Sequence, residues 1–487
     1  MSQEVRNLEP KALWNHFADL NAVPRPSKKE ERVIQFMLDF GKSLALPVDT
    51  DHVQNVLIRK PATPGMENRT HLVMQSHLDM VHQKNADTVF DFDKEGIKMI
   101  VDGDWVHADG TTLGADNGIG VATIMALLAS DDIPHPAIDA LFTIDEETGM
   151  TGALGLEGGW LEGKILLNLD TEDDDELTIG CAGGVDVTAT GTYTEEDTAA
   201  NMVGHRLMIR GLSGGHSGMD INKGLGNANK LMNRLLHKTH ERFGLRVAKI
   251  DGGGLRNAIP RESAAIVAVP SAQHDSFHSY LKEMEAIFKA EHGTTDPDME
   301  LVVEETAAPA KVMQEEFQDK LTAAIYTAPA GIYRLSPDIE GLVQTSNNVA
   351  RVIAENGDVT VMCLARSSSE TEKHDISHAL TACFNLAGLT VNLSGDYPGW
   401  QPQPSSDIVS LMREIYIDRF KEEPHVLACH AGLECGILGT NYPGMDMVSF
   451  GPNIRGAHSP DEKVQVSSVQ KYWGWLLETL TKIPVAD

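Results

Sequence analysis

At 487 residues the chain is too long for one hydrophobic core, so two domains are expected. Its formal net charge of −31 argues against nucleic acid and anionic membranes as partners. The 41% hydrophobic content is that of an ordinary globular protein, and no apolar run reaches the length of a membrane span.

Five cysteines (Cys181, Cys363, Cys383, Cys429 and Cys435) are scattered with no CxxC pair, which fits free thiols in a reducing compartment. The opening MSQEVRNLEPKALW has no apolar core of signal-peptide type. A cytoplasmic protein is expected.

Leu8 to Leu20 reads as a helix with Pro10 in its first turn. Ser27 to Leu46 reads as a second helix. Ser27 would cap it, with Glu30 three residues on as in a capping box, and Val33, Ile34, Phe36, Met37 and Phe40 form its apolar stripe. Asn55 to Arg59 is a short strand. The stretch HLVMQSHLDMVH, His71 to His82, then begins as an apolar run and ends in polar residues. In a strand, residues two apart face one side, so His77 and Asp79 share a face at the C-terminal end. Open α/β sheets place their sites there, and a nearby carboxylate can fix an imidazole tautomer. A solvated strand end explains the same letters. Asp91 to Val106 reads as a hairpin turning at Gly-Asp.

In TTLGADNGIGVATIMALLAS, glycines bracket Asp116 and a helix runs from about Ile119 to Ala129. An ordinary N-cap is the plain alternative for this aspartate. AIDALFTI, Ala137 to Ile144, is a buried strand ending in Asp145, Glu146 and Glu147. KILLNL, Lys164 to Leu169, is another, ending in Asp170 and a run of further acids. Three successive strands thus end in imidazole or carboxylate. Strand C-termini converge on one edge of an α/β sheet, so these side chains can meet.

From about 186 to 395 the order of elements becomes strand, helix, strand, strand, helix, strand, and a similar series follows. This predicts an inserted α+β lid domain with internal duplication. A discontinuous catalytic domain, 1–185 plus 396–487, is expected around it, α/β with a largely parallel sheet. Its second part contains a helix in SDIVSLMREIYIDRF, strands at Val426 to Cys429 and Met447 to Phe450, and a C-terminal helix. His458 falls in a loop after a strand.

His77, Asp116, Glu147, Asp170 and His458 offer two imidazoles and three carboxylates. This set suits borderline divalent ions: Zn²⁺, with Co²⁺ or Mn²⁺ as alternatives. One bridging carboxylate would give each of two ions three protein ligands. His216 sits among glycines in GLSGGHSGMDINKG. Arg366, in LARSSS, is a candidate clamp for a substrate carboxylate, with an ordinary surface or lid-core salt bridge as the plain alternative. His71, His82, His107 and His430 are expected to be structural or exposed.

Taken together and in this order, HLDMV, GADNG, DEETG, NLDTED and GAHSPDE resemble the co-catalytic zinc peptidase family of carnosinases, aminoacylases and bacterial dipeptidases. The likeness spans essentially the whole chain. It implies that Asp116 bridges two ions, with His77 and Asp170 completing one and Glu147 and His458 the other. It also implies Glu146 as general base, Asp79 as the group orienting His77, and His216 as oxyanion donor. Asn257, in GGGLRNAIP, and the backbone of Ala431-Gly432 would face substrate. The Asp at position 170 is similar to the dipeptidase branch. The resemblance therefore implies a metallo-dipeptidase that cleaves unblocked dipeptides, including Xaa-His, and works as a homodimer. Two rivals are an N-acyl amino acid deacylase on the same scaffold and a metal-binding protein on a dead one. The second predicts a missing ligand or base, and none is missing.

Overall fold

A computed structural model describes residues 4–486. They form two compact units: residues 4–180, Pro402–Ala428 and residues 433–486 make the first, and Cys181–Gln401 with Cys429–Gly432 the second. The expected boundaries at 185/186 and 395/396 therefore move to 180/181 and 401/402. The reason is local pairing. Gly183–Thr192 is a strand of the second unit's main sheet, and Cys181 bridges Trp400.

The first unit is built on an eight-stranded sheet in the order Val48–Thr50, Val56–Lys60, Ile138–Thr143, Leu72–His77, Ile165–Asn168, Asp446–Ser449, Glu176–Cys181, His425–Cys429. Its four central strands run parallel, and Leu72–His77 lies between Ile138–Thr143 and Ile165–Asn168. Every residue of the Leu72–His77 and Ile138–Thr143 strands is buried. A parallel sheet covered on both faces requires this, which explains why both strands read as apolar runs rather than as alternations. The Ala115–Ala129 helix is buried nearly all round. Trp14, Phe17, Ile119 and Val469 share one core cluster. The C-terminal helix Val466–Lys482 sets Trp475 edge-on to Tyr416 and Phe450, with ring centroids 4.9 and 5.3 Å apart.

Several local expectations changed. The first α-helix is Lys11–Leu20, with Pro10 at its N-cap rather than inside. The second is Glu31–Ser43, capped at Glu30 with no side-chain bond. Ser27 does not cap it: the N-cap position falls at Glu30, three residues on, and the Ser27 hydroxyl donates instead to Asp79 Oδ2 at 2.8 Å. The hairpin is shorter than read: only Met99–Asp102 and Trp105–Ala108 pair.

The second unit holds a sheet of mostly antiparallel strands in the order Glu300–Thr306, Met202–Arg210, Ser263–Pro270, Arg246–Gly253, Val343–Glu355, Asp358–Ser367, Gly183–Thr192, Thr390–Tyr397. The first four strands, with helices Ala228–Phe243 and His274–His292, form a split βαβ half. The last four, with helices Glu315–Thr327 and Glu370–Leu386, repeat its strand order in mirror sequence across the sheet centre. The expected duplication is thus a property of the topology. Its second half starts with Gly183–Thr192, and the whole first half is inserted after that strand. The four helices and the sheet enclose one apolar core, from Val185 to Leu389.

Candidate active site

The first unit's parallel strands bring their C-terminal ends together, and five polar residues meet there. His77 ends its strand. Its Nδ1 faces Asp79, 3.2 Å from the carbonyl oxygen and 3.4 Å from Oδ1. The ring is thereby turned so that Nε2 points away from Asp79. This atom lies 3.2 Å from Asp116 Oδ1 and 3.5 Å from Asp170 Oδ1. The other Asp116 oxygen, Oδ2, is 3.1 Å from His458 Nε2, which is 3.0 Å from Glu147 Oε2. Two triads result, His77–Asp116–Asp170 and Asp116–Glu147–His458, each with its donor atoms within 4.8 Å of one another. Asp116 belongs to both.

Backbone placement makes this possible. Asp116 and Asn117 open the Ala115–Ala129 helix with non-helical φ/ψ, and the peptide between them is cis. Gly114, just before, has φ +71°, and a Cβ there would meet the Arg25 guanidinium at 2.5 Å. Gly120 has Asn117 Oδ1 2.1 Å from where its Cβ would lie, so only glycine fits. His458 itself adopts φ +64°, a costly conformation that the surrounding loop must enforce.

The acidic turn after the Ile138–Thr143 strand sends three consecutive carboxylates to three fates. Asp145 is tied down by Lys28, Thr148 and Thr151. Glu147 joins the second triad, and its Oε1 is buried without a hydrogen-bond partner. Glu146 is grouped with His77 and Glu147. Asp79 organises this turn as well: its Oδ1 accepts from Glu146 N–H at 3.0 Å and its Oδ2 from Glu147 N–H at 3.3 Å.

Sequence reasoning missed a supporting ring. Glu462 accepts backbone N–H bonds from Leu113, Gly114, Ala115 and Asp116, at 2.7 to 3.2 Å. Arg25 is buried and donates to the carbonyls of Leu78, Asp79 and Gly114, so it joins the His77 and Asp116 loops. Asn117 donates to Asp170 Oδ1. Glu434 is buried, where Gln75 Nε2 and Thr143 Oγ1 donate to it at 2.6 and 2.7 Å. Glu462 and Asn117 stand inside GAHSPDE and GADNG, where a signal existed. Arg25 gave none.

Burial pushes the Glu146, Glu147 and Asp170 carboxyls upward, with nearby carboxylates adding to it. Burial and Asp116 push Glu172 to about 8, and burial pushes Glu434 to about 7. Hydrogen bonds that His458 donates to Asp116 and then Glu147 hold its imidazolium up to about 11. Asp116 moves the other way: burial opposes its charge, but His458 and His77 hold its carboxyl well below the usual range. A pocket this rich in buried carboxylate suits cations. The donor set of imidazole and carboxylate and the orphaned Glu147 Oε1 both fit divalent ions.

The other four candidates lie in the second unit. His216, in the short strand Gly215–His216, accepts from the N–H groups of Gly218 and Met219 at its Nδ1, 3.2 and 3.0 Å away. A neutral ring held this way carries its proton on Nε2, as a free donor. Asn257 is beside it, its carbonyl accepting from Ser217 N–H at 2.7 Å. Arg366 is buried, not a surface residue. It donates to Tyr397 Oη at 2.8 Å, and its Nε is buried without a partner. Gly432 ends the Cys429–Gly432 segment, where Ala431 O accepts from Ala182 N–H at 3.0 Å. The four histidines expected to be structural or exposed fit that reading. His71 lies 3.2 Å from Asp139, His82 packs edge-on to Phe92, His107 faces Ala108 O at 3.0 Å, and His430 is buried against Ser346.

Comparison with known proteins decides the family. The model of peptidase family M20/M25/M40 matches residues 73–482. The chain is a member of that family. This M20 peptidase is 43% identical over 481 residues to the cytosol non-specific dipeptidase of Escherichia coli K12, covering 99% of each chain. Its fold matches the crystal structure of an aminoacylhistidine dipeptidase from Vibrio alginolyticus with TM-score 0.93 and 44% identity, over 100% of this chain and 99% of that one. A tripeptidase from Staphylococcus aureus shares the fold at TM-score 0.57 and 15% identity, over 98% of this chain and 99% of that one. This M20 peptidase is therefore a hydrolase of peptide bonds. Among the described residues no helix is long and apolar enough to cross a membrane.

Proposed function

We propose that this M20 peptidase is a metallo-dipeptidase that hydrolyses unblocked dipeptides, Xaa-His among them, with a pair of divalent ions as cofactor. One observation carries the reading: the two oxygens of Asp116 face two different imidazoles, His77 and His458, in two triads that share only that carboxylate. His77, Asp116 and Asp170 would hold one ion, and Asp116, Glu147 and His458 the other. Zn²⁺ suits these donors best, with Co²⁺ or Mn²⁺ as substitutes. The names of the two relatives above 40% identity support the substrate class.

When bound, the ions supply Lewis acidity to the scissile carbonyl and to the attacking water. The protein's own groups do the rest. Glu146 takes the proton from water and returns it to the leaving amine. Burial raises its carboxyl's affinity for protons, which suits the second step. Asp79 holds the His77 ring and the Glu146 backbone at once. His216 Nε2–H donates to the oxyanion, Arg366 pairs with the terminal carboxylate, and Asn257 and Gly432 line the substrate. A cytoplasmic homodimer completes the proposal.

A rate panel tests it. Free dipeptides, including Xaa-His, are compared with their N-acetylated forms, before and after chelation and with Zn²⁺, Co²⁺ or Mn²⁺ restored. Activity on free dipeptides that vanishes on chelation and returns with metal is expected. Preference for the N-acetylated series would favour a deacylase instead.

A further inference from the structure

The second unit contains a cluster of ligand-type side chains that peptide hydrolysis does not use. His205 lies in the Met202–Arg210 strand, and Glu305 lies directly opposite it on the edge strand Glu300–Thr306. His274 and His278 stand one turn apart at the start of the His274–His292 helix, so both rings project from one face. The three elements converge. His205 Nε2 is 3.2 Å from His278 Nε2. His274 Nε2 is 3.2 Å from Glu305 Oε1, and His278 Nε2 is 4.0 Å from the same oxygen. One donor atom from each of the four lies within 4.8 Å of the other three.

A tetrahedral Zn²⁺ site with ligand bonds near 2.0 Å holds its donors about 3.3 Å apart. The three measured separations bracket that value. His205 is fully buried, while the other three reach solvent, so an ion has an entry path. An isolated hydrogen bond between two imidazoles would account for His205 and His278. That bond and a His274–Glu305 ion pair would account for the two 3.2 Å contacts separately, but neither requires one donor atom from each of the four to lie within 4.8 Å of the others.

We propose that His205, His274, His278 and Glu305 bind one divalent ion of the Zn²⁺ class. Four protein donors leave no position open, so the site is of the structural kind rather than a second reaction centre. The ion would fasten the start of the His274–His292 helix to the two strands at the edge of the sheet. Its ligands share no residue with the catalytic triads, and the proposal does not depend on how those triads work.

Metal counting on the full chain tests it. Protein saturated with Zn²⁺ and desalted is expected to hold three ions per chain. The His274→Gln/His278→Gln variant is expected to hold two and to keep its dipeptidase rate. Glu305→Gln, a change on an exposed edge, checks against misfolding and is expected to release the same ion at a lower chelator concentration than wild type. Asp116→Ala removes catalytic ions only, so a failure of the catalytic assignment is separable. Should the double variant and Glu305→Gln both retain the wild-type zinc count and chelator resistance, the proposal is overturned.

Discussion

Glu462 accepts the backbone N–H of Asp116 at 3.2 Å while its two oxygens also hold the three preceding amides. The carboxylate that faces both imidazoles is thus fixed from behind by another carboxylate 346 positions away. Glu462→Gln replaces one acceptor oxygen by an NH₂ that opposes the N–H groups facing it. Partners of this kind typically govern metal affinity by about 10–100-fold. Weaker metal retention of that size is expected in a chelator competition, with turnover largely restored at saturating metal. Unchanged retention would show that the Asp116 loop holds itself.

Glu146 is predicted to act on protons and not on metal. Glu146→Gln keeps the side chain's size and its backbone bond to Asp79. Loss of a positioned general base typically costs about 10²–10⁴ in rate. The expected variant therefore binds its full metal complement and turns over at least about a hundredfold more slowly. A near-normal rate with full metal would remove Glu146 from the mechanism.

Arg366 is buried with a free Nε, which suits a planar fork that receives a carboxylate. Lysine keeps the charge and loses the fork. Hydrogen bonds to charged groups contribute about 1.5–3 kcal/mol, so Arg366→Lys should raise KM for free dipeptides by about 10–100-fold. The corresponding dipeptide amides should be affected far less. Equal losses on both series would assign Arg366 to the structure of its unit alone.

His430 carries a pH prediction. Burial, and then the Arg366 guanidinium, depress it from 6.5 to about 3. The unfolded chain therefore binds a proton that the folded chain refuses between those values. Its stability contribution is whole above pH 6.5 and is lost as pH falls toward 3. A shift this large corresponds to on the order of 5 kcal/mol across the window. In urea titrations between pH 7 and 4, wild type should lose stability more steeply than His430→Gln. Parallel declines would show that other groups set the acid limit.

The central strands were legible because burial on both faces leaves a mostly apolar run, and the residue after each run marks the sheet edge. The duplication was legible only as element order, since its two halves are nested and the opening strand Gly183–Thr192 stands far from its mates. Ser27 misled: its letters fit a capping box, yet the helix starts past it and its hydroxyl donates to a buried aspartate 52 positions on. Arg25 was invisible, because a single arginine near a turn looks like solvated surface until three carbonyls close around it.

By itself the sequence picked out a candidate set of imidazoles and carboxylates, because donor type and strand-end position are written in local letters, while the role expected of Glu146 came from the family resemblance. Tertiary structure alone decided that Asp116 stands between His77 and His458, that Glu462 and Arg25 hold it there, and that four residues of the second unit close on one point. These relationships join residues tens to hundreds of positions apart. Their energies come from burial and hydrogen bonding that exist only once the chain has packed.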